Sequence, residues 1–236
     1  MATITGNIDR IKQAKADIKE AIIAKGVEVT DDVRIDGYAE KIGEIQQGGI
    51  NVFSDVMLDN TGKGMTGVKR IQLDSAVKTL SELYAYGSNI EFINTEKIES
   101  TGMRCFYGCK RLVRLDLSSL SSISYEMCQE CTNLENVVFG TSLISIAGYG
   151  FKNCKKLGDI TFQSSPRLDT QCFANCQMRY VVFNCDTVPV MSAASAFVGT
   201  LCQFVVPDAL YDGWVSATNW STYADRIIKA SEYTEL

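Results

Sequence analysis

Apolar and polar residues along the middle of the chain follow a pattern that repeats. The segment 151–162 reads F-x-x-C-x-x-L-x-x-I-x-F, and variants of it begin at Phe106, Cys128 and Phe173. The four starting positions, here called anchors, are 22, 23 and 22 residues apart. Repetition at a fixed period of this size predicts a solenoid in which each unit stacks on its neighbours.

Each unit ends in a short segment that alternates apolar and polar residues. A period of two predicts a strand whose apolar side chains point into the stack. The predicted inward pairs are Leu115 and Leu117, Val137 and Phe139, Ile160 and Phe162, and Val181 and Phe183. A second apolar position recurs five residues before the anchor, at Ile123, Ile146 and Leu168.

Weaker copies of the pattern extend the predicted array in both directions. The segment 84–93, with Tyr84 as its anchor, lies 22 residues before the Phe106 unit, and the segment 68–73 lies one period further back. The last unit is degenerate and has Thr200 at the cysteine position. The sequence therefore predicts an array over residues 67–206.

Cysteines occupy the third position after the anchor in four successive units. They are Cys109, Cys131, Cys154 and Cys176, and Cys105 and Cys172 form a second matched pair. Cys128-x-x-Cys131 has the spacing of a zinc half-site, but the chain has no second half and no histidine. We predict a column of small buried thiols, because free cysteine is among the most buried residue types.

The sequence pattern before the array predicts helices. A helix is predicted at about 5–25, and isoleucines recur at spacings of 4, 3, 7 and 4 from the residue before it, namely Ile4, Ile8, Ile11, Ile18 and Ile22. Isoleucine at both core positions of a heptad favours trimers or tetramers, so these residues form a candidate oligomer seam. The alternative is a single amphipathic helix that packs on its own domain. A second helical pattern covers 36–46. Residues 49–66, an apolar run followed by a turn-rich segment, form a linker.

The residues after the array predict a C-terminal cap, which is a segment that covers the last unit. Pro207 is placed to open a helix. The apolar residues that follow can cover the open end of the last unit, and they are Trp214, Trp220, Tyr223 and Ile227.

The repeated units resemble the BspA-like leucine-rich repeats of bacteria. Ile146-Ala-Gly-Tyr-Gly-Phe151-Lys-Asn-Cys154-Lys-Lys-Leu157 is similar to the unit I-x-x-x-A-F-x-x-C-x-x-L of that family, and residues 206–227 resemble a common ending of its members. The resemblance implies an α+β chain built around a leucine-rich-repeat β-solenoid. The expected domains are a helical, coiled-coil-like module (1–48), a linker (49–66), the solenoid (67–206) and a short helical cap (207–236).

The N-terminal module has a resemblance of its own. Ile18-Lys-Glu-Ala-Ile22, Lys25-Gly-Val-Glu-Val29 and Ile35-Asp-Gly-Tyr-Ala-Glu-Lys-Ile42 look like a short module near the N-termini of bacteriophage tail and other virion proteins. The resemblance implies attachment or oligomerisation. The alternative is a generic helical cap.

Composition excludes several classes of function. A formal net charge of −5 gives no basic surface for nucleic acid. No run of 18 apolar residues is present, so we expect no membrane insertion, and the first ten residues do not read as a secretory signal. Histidine is absent, which removes the usual general base, and no catalytic group of residues is recognisable. We expect no enzymatic activity, no metal and no cofactor.

The residues between the inward positions define the candidate binding face. The first row is Phe92, Arg114, Asn136, Asp159 and Tyr180, and the second row is Asn94, Asp116, Val138, Thr161 and Val182. Mixed aromatic, charged and amide groups suit protein or glycan recognition. The alternative is a solvated sheet face with no ligand.

The sequence therefore favours a bacteriophage virion protein, such as a tail-associated or capsid-associated fibre. We expect a homo-oligomer, with a trimer favoured, that contacts other virion proteins through its N-terminal module. Its repeats would bind a protein or glycan on the host surface. The alternatives are an adhesin on a bacterial cell surface and a purely structural virion protein.

Overall fold

The computed structural model describes residues 49–52, 69–73 and 75–234. The chain divides into two units between Asn51 and Val52, and the second unit contains all of the repeats. The N-terminal helical module and most of the linker lie outside the described residues. So does the candidate oligomer seam, which comprises Ile4, Ile8, Ile11, Ile18 and Ile22.

The repeats form a parallel β-solenoid of about seven turns, as the pattern predicts. Strand β1 spans Gly49–Val52. One side of the solenoid, the long face, consists of β2 (Arg70–Leu73), β4 (Phe92–Ile93), β6 (Arg114–Leu117), β8 (Asn136–Phe139), β10 (Ile160–Phe162), β12 (Tyr180–Phe183), β13 (Gln203–Val206) and β14 (Ile227–Lys229). The other side, the short face, consists of β3 (Thr79–Leu80), β5 (Ser100–Thr101), β7 (Ser122–Ile123), β9 (Ser145–Ile146) and β11 (Arg167–Leu168).

The register of the long face sends alternate residues into the core. Leu115 lies opposite Val137, and Ile160 lies opposite Val181 in the next parallel pair. Seven of the eight predicted inward residues are buried, and Val137 is half-buried. The apolar position before the anchor is also buried wherever it was predicted, and it closes the core from the short face.

The two faces are joined by a turn with the same backbone conformation in successive units. Residues two before the anchor have positive φ, and they are Leu83, Arg104, Glu126, Tyr149 and Gln171. Residues two after the anchor do so as well, and they are Gly87, Gly108, Glu130, Asn153, Asn175 and Gly199. Between them, backbone N–H groups donate to the next unit, as from Phe106 to the Met127 carbonyl at 2.8 Å.

This turn corrects the register of the first unit. Its φ positions, Leu83 and Gly87, flank Ala85, and the Ala85 N–H donates to the Cys105 carbonyl at 2.8 Å. The anchor is therefore the fully buried Ala85 rather than Tyr84, and Ser88 takes the cysteine position. A tyrosine has the size of the other anchors, which is why the sequence pattern selects the wrong neighbour.

Aromatic side chains continue through the core from unit to unit. The anchor rings of Phe151, Phe173 and Phe197 stack in parallel, with centroids 5.3 Å and 5.4 Å apart. A second stack joins Phe162 to Phe139 and to Phe183, at 5.1 Å in both cases. Offset stacking adds to the burial of these rings, so each unit stabilises the next.

The tail forms the predicted cap. A 3-10 turn (Asp208–Leu210) follows Pro207 and leads into helix α1 (Tyr211–Ser216), and 3-10 segments at Trp220–Arg226 and Ala230–Glu232 flank β14. Trp214 and Trp220 are fully buried, and the Trp220 indole N–H donates to the Pro189 carbonyl at 2.7 Å. Within the described residues, no helix has the length and apolar content needed to cross a membrane.

Candidate functional site

The outer side of the long face carries the first row of candidate residues at matching positions of successive turns. Arg114 lies opposite Asn136, and Tyr180 lies opposite Gln203 in the strand that follows. No member of the row is buried. Because neighbouring strands lie ~4.8 Å apart, the five residues span roughly 20 Å.

The two ends of the first row are aromatic, and each is held by a neighbour. The Arg70 guanidinium lies over the Phe92 ring, 4.4 Å from its centroid. At the other end, the Tyr180 ring meets the Tyr233 ring edge-on, with centroids 4.9 Å apart. These contacts fix the orientation of both rings while part of each ring remains accessible.

Asp159 has a structural role within the row. Its carboxylate accepts the backbone N–H groups of Arg179 at 2.7 Å and Tyr180 at 3.0 Å, and it pairs with the Arg179 guanidinium at 3.1 Å. Asp159 therefore positions the start of β12. The polar residues of the row that remain accessible to a ligand are Arg114, Asn136 and Tyr180.

The second row also contains residues that serve their own chain. Asn94 bonds the backbone of Leu73, donating to its carbonyl and accepting its N–H. Asp116 accepts the N–H of Ser118 at 3.0 Å. Val138 and Thr161 are exposed and Val182 is half-buried, so this row offers a ligand mainly small apolar and hydroxyl groups.

Two clefts border the first row where the strands begin. One, of about 530 Å³, lies beside Asn136, Asp159 and Arg179. The other, of about 950 Å³, is lined by residues that include Tyr180, Leu201 and Arg226. Leu201 is 92% exposed, and the sequence pattern did not single it out because it lies in the degenerate last unit.

The cysteine column is confirmed as a structural feature. All four thiols are buried and free, and each donates to a carbonyl of the preceding unit. The acceptors, at 3.0 to 3.2 Å, are Ala85, Phe106, Cys128 and Phe151. Burial raises the pKa of Cys109, Cys131 and Cys154 well above the usual value, which keeps these thiols protonated.

The zinc interpretation of Cys128 and Cys131 is not supported by their surroundings. Both side chains are fully buried, and Cys131 already donates to the Phe106 carbonyl at 3.0 Å. Among the residues that the structure describes, no three potential ligands from histidine, cysteine, aspartate and glutamate come together.

Comparison with known families supports the repeat assignment. Residues 78–197 match the BspA type leucine rich repeat region in 6 copies, which is 120 of the 236 residues. No curated protein matches the chain by sequence. With this match and a parallel solenoid of the same period, the chain belongs to the BspA-type leucine-rich repeat family.

Proposed function

We propose that this protein is a non-enzymatic binding protein whose long face recognises a protein on the surface of a bacterial host. The observation that carries the proposal is the first row, which brings Arg114, Asn136 and Tyr180 to one accessible side of the solenoid. A leucine-rich-repeat solenoid is typically a binding scaffold rather than an enzyme.

The shape and chemistry of the long face favour a protein ligand. The row is much longer than a single sugar or metabolite, and tyrosine and arginine are enriched at binding hot spots. The exposed Leu201 and the half-buried Tyr180 extend the surface with apolar area. Arginine and amide groups beside them supply directional hydrogen bonds, which is the mixture found at protein interfaces.

The location that we propose is a phage particle. The support is the resemblance of residues 1–48 to a module of tail and virion proteins, together with the isoleucine seam. Under this proposal, the module forms a homo-oligomer, with a trimer favoured, and joins the repeats to other virion proteins. An adhesin on a bacterial surface is the alternative, and a purely structural virion protein is a third candidate.

Alanine substitutions on the long face test the binding proposal. We expect Arg114→Ala and Tyr180→Ala to weaken binding of the purified protein to host cells by about tenfold or more each. Lys155→Ala is the matched control, because Lys155 is exposed on a turn outside the row. Unchanged binding in both row variants would contradict a role of this face in host recognition.

Removal of residues 1–48 tests the attachment proposal. We expect the shortened chain to lose self-association in light scattering and to be absent from purified particles, while circular dichroism still reports a folded solenoid. A full-length chain that is monomeric at micromolar concentration would contradict the oligomer, and normal incorporation of the shortened chain would contradict attachment through this module.

A further inference from the structure

A separate groove lies between the turn segments and the short face. Its volume is about 450 Å³, within the range of small-molecule sites. The residues that line it include Tyr125, Tyr149, Arg167, Asp169, Thr170 and Ser192. None of these residues belongs to the rows of the long face.

Two tyrosine rings form the apolar part of the groove. Tyr125 and Tyr149 meet edge to face, with centroids 5.6 Å apart, and Tyr125 is 38% exposed. A Cβ atom at Gly148 would lie 3.4 Å from Cε2 of Tyr125, so this ring lies directly against the backbone. The Lys152 ammonium lies 4.9 Å from the Tyr149 centroid. Both rings are therefore held in place by their neighbours.

Polar residues of both hydrogen-bonding types also line the groove. The Nε of Arg167 donates to Oδ1 of Asp169 at 2.8 Å, and this bond does not use the terminal guanidinium nitrogens or the second carboxylate oxygen. The two side chains are 60% and 30% exposed. Thr170 and Ser192 complete the lining. Because the arginine and the aspartate neutralise each other, this part of the groove offers strong donors and acceptors without a net charge.

We propose that this groove binds a neutral hexopyranose unit of a glycan chain. One side of a pyranose ring presents C–H groups, which pack on the face of an aromatic ring, and its rim carries hydroxyls that both donate and accept. The tyrosine rings match the C–H side, and the paired Arg167 and Asp169 match adjacent hydroxyls. A phosphorylated or sialylated ligand would bring its anion beside the Asp169 carboxylate, so the arrangement favours an uncharged sugar.

This site is independent of the protein-binding proposal for the long face. The groove uses residues of the turns and of β11, whereas the first row uses the strands of the long face. Arg114→Ala and Tyr180→Ala should therefore leave saccharide binding unchanged, and a failure of one proposal is distinguishable from a failure of the other.

The experiment is saturation-transfer NMR on the full-length chain with neutral tetrasaccharides of glucose, galactose and N-acetylglucosamine. We expect at least one of them to bind with a Kd in the millimolar range or tighter. Asp169→Asn and Tyr149→Ala should each weaken that binding by about tenfold, while Tyr149→Phe, which keeps the ring, should retain it. Tyr107→Ala is the control, because Tyr107 is another accessible turn tyrosine but does not line the groove.

Three results would overturn the proposal. The first is the absence of binding by all three tetrasaccharides at about 10 mM. The second is equal weakening by Tyr107→Ala and Asp169→Asn, which would place the ligand elsewhere. The third is binding of phosphorylated or sialylated probes alone. Thermal unfolding of each variant shows that the fold is retained, and Asp169→Asn keeps the test valid where Tyr149→Ala does not fold.

Discussion

At the scale of single residues, the third position after the anchor requires a small side chain that can donate a hydrogen bond inward. Cysteine meets this requirement in four units, and Ser88 and Thr200 occupy the same place at the two ends. Thr200 donates to the Phe197 carbonyl at 2.7 Å, and the Ser88 hydroxyl lies 3.5 Å from Sγ of Cys109. The column is therefore explained by packing and hydrogen bonding rather than by thiol chemistry.

Substitution of Cys154 tests this explanation. Cys154→Val removes the donor to the Cys128 carbonyl and adds volume to a closed core, so we expect a loss of about 2–3 kcal/mol in the free energy of unfolding. Cys154→Ser keeps a donor and should cost less than the valine variant. Urea denaturation measures both. A valine variant as stable as the serine variant would show that the hydrogen bond contributes nothing.

The buried thiols also predict a dependence of stability on pH. Burial raises the pKa of Cys105, Cys131 and Cys154 well above the usual value, so they stay protonated in the folded state. In the unfolded chain they ionise near pH ~8.5, and the unfolded state then binds fewer protons than the folded one. Stability is therefore fully present below that pH and falls above it, by up to about 1.4 kcal/mol per thiol for each pH unit.

Urea denaturation under reducing conditions at several pH values between about 7.5 and 9.5 measures this decline. Cys154→Ser provides the control, because removal of one titrating thiol should make the decline shallower. An identical pH dependence in both proteins would contradict the assignment of the effect to the thiols.

At the scale of elements, the turn is defined by its two left-handed positions rather than by its side chains. Glycine and asparagine occupy most of the second position, since both adopt positive φ at low cost. The side chains there also bond along the stack, as Asn175 donates to Oδ1 of Asn153 at 2.8 Å. Gly199 occupies the second left-handed position of the last unit. A Cβ atom added there would clash with the Asn175 amide, so a side chain has no room.

Gly199→Ala should therefore destabilise the last turn for two reasons, its φ of 74° and the clash with Asn175. We expect a loss of about 1–3 kcal/mol in the free energy of unfolding. Asn175→Gly combined with Gly199→Ala removes the clash but keeps the backbone strain, and it should recover part of the loss. Thermal unfolding compares the variants, and a neutral Gly199→Ala would contradict both causes.

At the scale of the whole molecule, a solenoid leaves an open core at each end, and the C-terminal cap closes one of them. Trp220 contacts the rings of Phe183, Phe204 and Trp214, with centroids 5.3 to 5.6 Å away. The Tyr223 hydroxyl donates to the Ala194 carbonyl, and Arg226 donates to the Thr200 carbonyl at 2.8 Å. The cap thus combines apolar burial with bonds to carbonyls of the last turns.

Loss of the central cap residue should affect the entire solenoid. We expect Trp220→Ala to lower the free energy of unfolding by about 3–5 kcal/mol, since it opens a cavity against the last unit. Thr222→Ala, at an exposed position of the same segment, should change it by less than about 0.5 kcal/mol. Thermal unfolding with a dye for exposed apolar surface measures both, and equal stability of the two variants would contradict the capping role.

The features that repeat follow from the order of residues alone. The spacing of Phe106, Cys128, Phe151 and Phe173 sets the length of each turn, and the alternation after each anchor decides which residues face the core. Both the turn length and the inward positions depend on the order of residues, so they can be predicted before the fold is known. The predicted register failed at Tyr84 because one short unit cannot distinguish a half-buried aromatic from the true anchor.

The outward residues that are available to a ligand, in contrast, depend on how the turns pack against one another. Asp159 and Asn94 lie in the predicted rows, yet hydrogen bonds to adjacent turns occupy them. Tyr125 and Arg167 are 42 residues apart and share a groove. Contacts of this kind depend on distances of a few ångströms between neighbouring turns. The order of residues along the chain does not give these distances.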